Sequence, residues 1–187
     1  MQSRKIIAGV DEVGRGSLVG SVVSAAVILS DNTSTEDFKD SKKLREKKRI
    51  AIANNIIQTS LSVSVGIATK EEIDLMNIHN ASLLSMKRAI NNLYLKPNLV
   101  LVDGIHSPDI DIECRSIIKG DDKIKEISAA SIIAKVTRDF EMNYIDTIYP
   151  MYSLKDNKGY LTRQHKQAIA SFGKTIYHRD SFFTQYE

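Results

Sequence analysis

The sequence is short of the features that mark secreted or membrane-spanning chains. Its 187 residues include a single cysteine, Cys114, so no internal disulfide can form. The longest apolar run, Val22 to Leu29, is broken by Ser24 and falls far below the roughly 18 residues that a membrane span needs. Met1 to Arg4 leads straight into a strand-like segment, so no signal peptide is expected. There is no internal repeat, linker or low-complexity segment. These absences exclude a disulfide scaffold and a helical membrane protein, and they point to the reducing cytoplasm. What is present is an ordinary globular composition, 42% apolar and 26% charged, in a length that suits one domain over residues 1–187.

Net charge is only +3, but it is unevenly spread. From Lys39 to Arg49 seven basic residues stand against two acidic ones, and from Lys155 to Glu187 six stand against three. Such clusters either contact phosphates or form solvated faces, and charge alone does not decide between them.

Lys5 to Val10 reads as a buried strand ended by the turn-forming run Gly14-Arg15-Gly16, and Ser21 to Leu29 as a second strand. Glu46 to Gln58 has apolar residues at helical spacing, and Leu61 to Ala68 alternates as a third strand. Thr69 with Glu72 forms a capping box at the start of a helix that Pro97 closes off. Leu99 to Val102 and Glu113 to Ile118 supply two more strands, and Lys123 to Tyr149 reads as one long helix. Its early face, Ser128 to Ser131, is small enough to lie close to a sheet. The pattern predicts an α/β fold with a mixed five-stranded sheet, plus a small helical extension over about 150–187.

Three strands end in carboxylates. Asp11 and Glu12 follow the first, Asp103 follows Leu99 to Val102, and Asp121 stands between the fifth strand and the long helix. In open α/β sheets ligands bind beyond the carboxyl ends of strands. Clustered acids repel one another and call for a cation, and an all-oxygen donor set favours Mg2+ or Mn2+. Asp11 and Glu12, as neighbours on a strand, point to opposite faces unless the strand ends or bulges there. Each acid taken singly also has a plain reading, as a turn residue or a helix cap.

The segment Gly9-Val-Asp-Glu-Val-Gly-Arg-Gly-Ser-Leu-Val-Gly20 closely resembles the opening signature of ribonuclease HII, the bacterial type 2 ribonuclease H. Further blocks follow in family order: Asp40-Ser-Lys-Lys-Leu44, Glu72-Ile-Asp-Leu-Met-Asn-Ile78, Val102-Asp-Gly104, Lys119-Gly-Asp121, Ile127 to Asp139, Lys158-Gly-Tyr160 and His178-Arg-Asp-Ser-Phe182. The resemblance implies a ribonuclease H-like fold and an endonuclease acting on RNA–DNA hybrids and on ribonucleotide-containing duplex DNA. It implies that Asp11, Glu12, Asp103 and Asp121 bind the metal. Gly14, Arg15 and Gly16 match the turn that recognises the ribonucleotide, Tyr160 the tyrosine packed on its sugar, and Ser41 and Lys42 residues near the phosphates. Glycines let backbone amides approach closely, and the 2′-hydroxyl separates RNA from DNA. Asp139 is expected to be a helix residue rather than a ligand.

Two positions depart from the family. Ser17 stands where proline is more frequent, a change expected to loosen the turn, and Asn157 replaces a frequent histidine. His79 is expected to pack or cap, His106, His165 and His178 are left free to face substrate but have no metal-ligand partner at useful spacing, and Cys114 is expected to be an inert thiol. The expected protein is a monomer with no obligate protein partner. Competing readings are a DNA-junction resolvase with the same acids, a silent RNA–DNA binding module, and a small-molecule phosphate binder.

Overall fold

The computed structural model describes residues 5–36, 38 and 45–183. Ser41 and Lys42 lie outside them. The strands are β1 (Ile7–Val13), β2 (Val22–Ile28), β3 (Ser62–Ala68), β4 (Leu99–Asp103) and β5 (Cys114–Ile117), ordered β3-β2-β1-β4-β5. The pairs β1–β2 and β2–β3 are antiparallel, while β1–β4 and β4–β5 are parallel. The mixed sheet agrees with the expectation.

Helices cover both faces, and the strand alternation shows how. In β2, Ala25 and Val27 pack with Ile52, Ala53 and Ile56 of α1 (Glu46–Thr59) and with Ala129, Ile132 and Ile133 of α4 (Lys125–Ile148). The alternate residues Ala26 and Ile28 pack on Met86, Ala89 and Ile90 of α2 (Lys70–Asn91). All seven residues of β2 are therefore buried. Truncating one of these core side chains, such as fully buried Ile56, to alanine costs about 2–5 kcal/mol.

The helix ends follow local chemistry. Thr69 caps α2 through the expected box: its hydroxyl accepts from the Glu72 amide, and the Glu72 carboxylate accepts from the Thr69 amide. Inside α2, Asn77 takes φ 70 and its Oδ1 accepts from the Asn80 amide, so it recaps the second stretch. The long helix expected over Lys123 to Tyr149 is α4 (Lys125–Ile148), preceded by a separate turn α3 (Gly120–Lys123) and extended Ile124. The helix α4 closes before Pro150, as the residue ahead of a proline disfavours helical geometry. Its start lies close over β1 because position 9 is glycine; a Cβ there would collide with the Glu126 carbonyl and the Ile127 amide.

The C-terminal part contains the short α5 (Leu154–Asn157) and α6 (Arg163–Phe172). It is not merely appended. Tyr152, Leu154 and Ala168 form one apolar cluster with Leu18 and Val19 of the glycine turn and Met142 and Ile145 of α4.

Candidate active site

Strand β1 runs three residues further than the sequence pattern indicated, so Asp11 and Glu12 lie inside it rather than beyond it. Antiparallel pairing with β2 continues through Asp11↔Ala25, Glu12↔Ser24 and Val13↔Val23. Parallel pairing with β4 stops at Val10↔Val102. One step past that pair stand Asp11 and Asp103, side by side on neighbouring strands. Val10 and Val102 pack toward α2, so Asp11 and Asp103 share the α4 face. Glu12 falls on the other face, as strand alternation requires, and reaches the same cleft from its rim.

That cleft has a volume of about 350 Å³ and is lined by Asp11, Glu12, Asp103, the turn Gly14–Gly16, Tyr160 and basic Arg49 and Lys135. Asp11 is only 6% exposed. Its Oδ1 accepts from the Glu12 amide at 2.7 Å, and Ser131 of α4 donates to its carboxylate. Burial foremost, then the negative charges of Glu12 and Asp103, hold the Asp11 carboxyl well above the usual carboxylate range. Asp103 Oδ1 accepts from the Gly120 amide at 2.7 Å, which ties β4 to α3. Asp121 is the next residue in α3, partly buried and outside the lining of the cleft.

Among the described residues no basic side chain forms an ion pair with Asp11 or Asp103, whereas Glu12 pairs with Arg15 at 3.0 Å. A buried acid pressed by two like charges, with only oxygen donors around it, suits a hard divalent cation. Among the described residues no three acids close into a ligand set; Glu12 turns to Arg15 and Asp103 to the Gly120 amide. The cleft's own cations are engaged by buried Asp139, which takes Lys135 at 2.6 Å and Arg49 at 3.3 Å. Asp139 is thus a helix residue in an ion-pair network.

The glycine turn is held from beneath. Gly14 has φ 94, a left-handed conformation that costs glycine nothing, and an added Cβ would stand 2.7 Å from Arg138 Nε. Two buried arginines take up carbonyls of the turn and of the Val19–Ser21 segment that follows it. Arg179 donates to Gly20 O (2.8 Å), Arg15 O (3.1 Å) and Ser21 O (2.8 Å). Arg138 donates to Val19 O, to Ser17 Oγ (3.0 Å) and to the Glu141 carboxylate (2.9 Å). Burial, followed by the neighbouring Arg138 charge, pushes Arg179 down to about 9. Neither arginine was singled out from the sequence. The signal available was a charge at a helix position facing inward, Arg138, and another beside buried His178.

Ser17 does not loosen the turn. Its hydroxyl donates to Val19 O and accepts from Arg138, so a fully buried serine binds where proline would only stiffen. Asn157 likewise braces the backbone, since its Oδ1 accepts from the Gly159 amide and its Nδ2 donates to Tyr152 O. Tyr160, 45% exposed, brings its ring within 3.5 Å of the point where a Gly16 Cβ would lie. The Leu18 amide donates to Gly159 O at 2.8 Å and joins the two segments.

The histidine expectations divide. His106 is exposed, and half-buried His79 packs edge-to-face on it with ring centroids 4.6 Å apart. His165 and His178 do not face substrate. Both are 0% exposed and they bond to each other. Cys114 is half-buried in β5, and burial raises its thiol.

The chain matches the family model of ribonuclease HII over residues 8–185. It is 54% identical over 175 residues to a ribonuclease HII from Shewanella pealeana, covering 94% of this chain and 86% of that protein. Its fold is similar to that of ribonuclease H2 from Pyrococcus horikoshii, with TM-score 0.79, 25% identity and 92% of each chain covered. It is equally similar to ribonuclease HII of Archaeoglobus fulgidus, solved in complex with PCNA, with TM-score 0.79, 28% identity and 96% and 94% coverage. The signature blocks, the mixed sheet and the whole-length similarity agree: this chain belongs to the ribonuclease HII family.

Proposed function

We propose that, within its family's metal-dependent ribonuclease H activity on RNA–DNA hybrids, this chain cuts on the 5′ side of a ribonucleotide, including a single one embedded in duplex DNA. The products are 5′-phosphate and 3′-hydroxyl ends. One observation carries the reading: a single cleft joins Asp11 and Asp103 to the Gly14–Gly16 turn and the exposed Tyr160 ring. Chemistry and sugar recognition would then act on the same nucleotide.

Asp11, Glu12 and Asp103, with Asp121 from the start of α3, would hold two divalent ions, Mg2+ or Mn2+. Bound there, such ions supply an activated water and neutralise charge growing on the phosphate and the departing oxygen. The chain's own groups do the rest. Burial of Asp11 raises the affinity of the site for positive charge. Arg179 draws the Arg15 carbonyl inward, and Arg138 and Arg179 hold the Val19–Ser21 segment behind it, which leaves the turn's exposed edge to approach the ribose 2′-hydroxyl. Tyr160 would pack on that sugar, and Arg15, with Ser41 and Lys42, would contact phosphates.

Cleavage of matched duplexes, all-DNA and with one ribonucleotide, tests the proposal. The expected product is a single cut 5′ of the ribonucleotide, and Tyr160→Ala should lower the preference for that substrate. Equal cutting of the all-DNA duplex would favour a resolvase-like enzyme, and no cutting with either metal would favour a silent binding module.

A further inference from the structure

His165 and His178 belong to a hydrogen-bonded chain whose direction is fixed at both ends. At one end the Thr175 amide donates to His178 Nδ1 at 2.9 Å. An amide can only donate, so this nitrogen carries no proton. At the other end His165 Nδ1 lies 2.9 Å from the Tyr160 carbonyl oxygen, which can only accept, so His165 Nδ1 is protonated. Between them the two Nε2 atoms stand 3.2 Å apart and must share one proton. The only consistent neutral assignment has His178 Nε2–H donating to His165 Nε2. Both rings are fully buried, and burial lowers the proton affinity of each. The neutral chain Thr175 → His178 → His165 → Tyr160 is therefore also the one that desolvation favours.

The chain ends on the main chain of a residue whose side chain lines the cleft. Lys158 and Gly159, just before Tyr160, both take positive φ, and the Tyr160 ring is half-exposed in the cleft. The Tyr160 carbonyl accepts from the Thr162 amide as well as from His165, while its own amide donates to Asn157 O. His178 has a second attachment through its backbone, which bridges to Val19 behind the glycine turn. One histidine pair thus connects the far side of the turn to the backbone of the tyrosine in front of it.

We infer that His165 and His178 are positioning residues for Tyr160: their shared-proton chain sets the Tyr160 backbone, and so the ring, against Gly16 for recognition of the ribonucleotide sugar. The inference rests on the reading of Tyr160 as the sugar contact. It is distinct from that reading, because neither imidazole reaches the cleft.

Two measurements test it. Long-range proton–nitrogen NMR of the intact protein at neutral pH should show His165 protonated at Nδ1 and His178 at Nε2. A proton on His165 Nε2, or a cationic ring, overturns the inference. The second measurement is the ratio of kcat/KM for the single-ribonucleotide duplex over an all-RNA hybrid. His165→Phe keeps the ring packing and removes the chain; it should shift this ratio in the same direction as Tyr160→Ala, by roughly fivefold, the worth of one hydrogen bond. In the double variant the two effects should not add, because one acts through the other. His165→Asn returns a donor to the Tyr160 carbonyl and should recover much of the ratio, and it serves where the phenylalanine variant does not fold. Additive effects, or a ratio unmoved in both His165 variants while Tyr160→Ala moves it, overturn the inference alone. A ratio unmoved by Tyr160→Ala removes the sugar-contact reading itself.

Discussion

The two walls of the cleft are built on opposite terms. On the strand side, Asp11 is buried beside two like charges, with an amide and a serine as its partners. On the turn side, Arg138 and Arg179 are buried too, but carbonyls, the Ser17 hydroxyl and the Glu141 carboxylate accept from them at six contacts. Of the two guanidinium groups only Arg138 Nε lacks an acceptor. The acid wall keeps charge poorly compensated, which raises the free energy of the protein and creates affinity for cations. The turn wall spends hydrogen bonds on rigidity, which fixes a backbone edge to feel for a sugar. Groups that bind something are left wanting, whereas groups that hold still are close to saturated.

The sharpest break in this contrast is Asp11→Asn. It should abolish turnover, by roughly 10³-fold or more, on the scale of several kcal/mol of lost charge stabilisation. At the same time it should raise the melting temperature in chelator, because a neutral amide removes the repulsion with Glu12 and Asp103. Single-turnover cleavage and thermal melts check both halves, and a destabilised, active variant would contradict them. Arg179→Ala tests the other wall. Losing the partner of three carbonyls should destabilise the protein by roughly 3 kcal/mol in denaturant titrations, with Arg179→Lys recovering only part, since one ammonium cannot span three acceptors.

A smaller effect is expected behind the turn wall. Burial, then the repulsion that a protonated His165 would exert, lowers His178 from 6.5 to about 4, with Lys174 pushing the same way and the Thr175 backbone and Asp180 opposing. Between those values the unfolded chain binds the proton and the folded one does not. Stability should therefore be complete above about pH 6.5 and fall toward pH 4, by on the order of 3 kcal/mol. His178→Asn should flatten that limb in melts across the range, and an unchanged limb would show that another group produces it.

Much of this was legible in the residues. Strand and helix periods gave the sheet, the capping box gave the start of α2, and the order of the acids with the glycine run gave the cleft's main members. Less legible were contacts that depend on which buried faces meet. Ser131 and Lys135 lie four apart on α4, a spacing that puts both on one face but does not say which strand it covers. Nothing local marks Arg138 and Arg179 as buried, because a sequence does not show which carbonyls lack partners. The extension of β1 was hidden for a related reason: pairing with β2, not local propensity, set where the strand stopped.

By itself the sequence determined the element types, the family blocks and the candidate acids, because periodicity and residue chemistry are local properties. Only the tertiary structure decided that Asp11 and Asp103 lie side by side, that Glu12 comes from the opposite face, and that two histidines left free to face substrate are locked to Tyr160. Register, strand faces and burial arise from segments distant in the chain packing together, and no local window contains both partners.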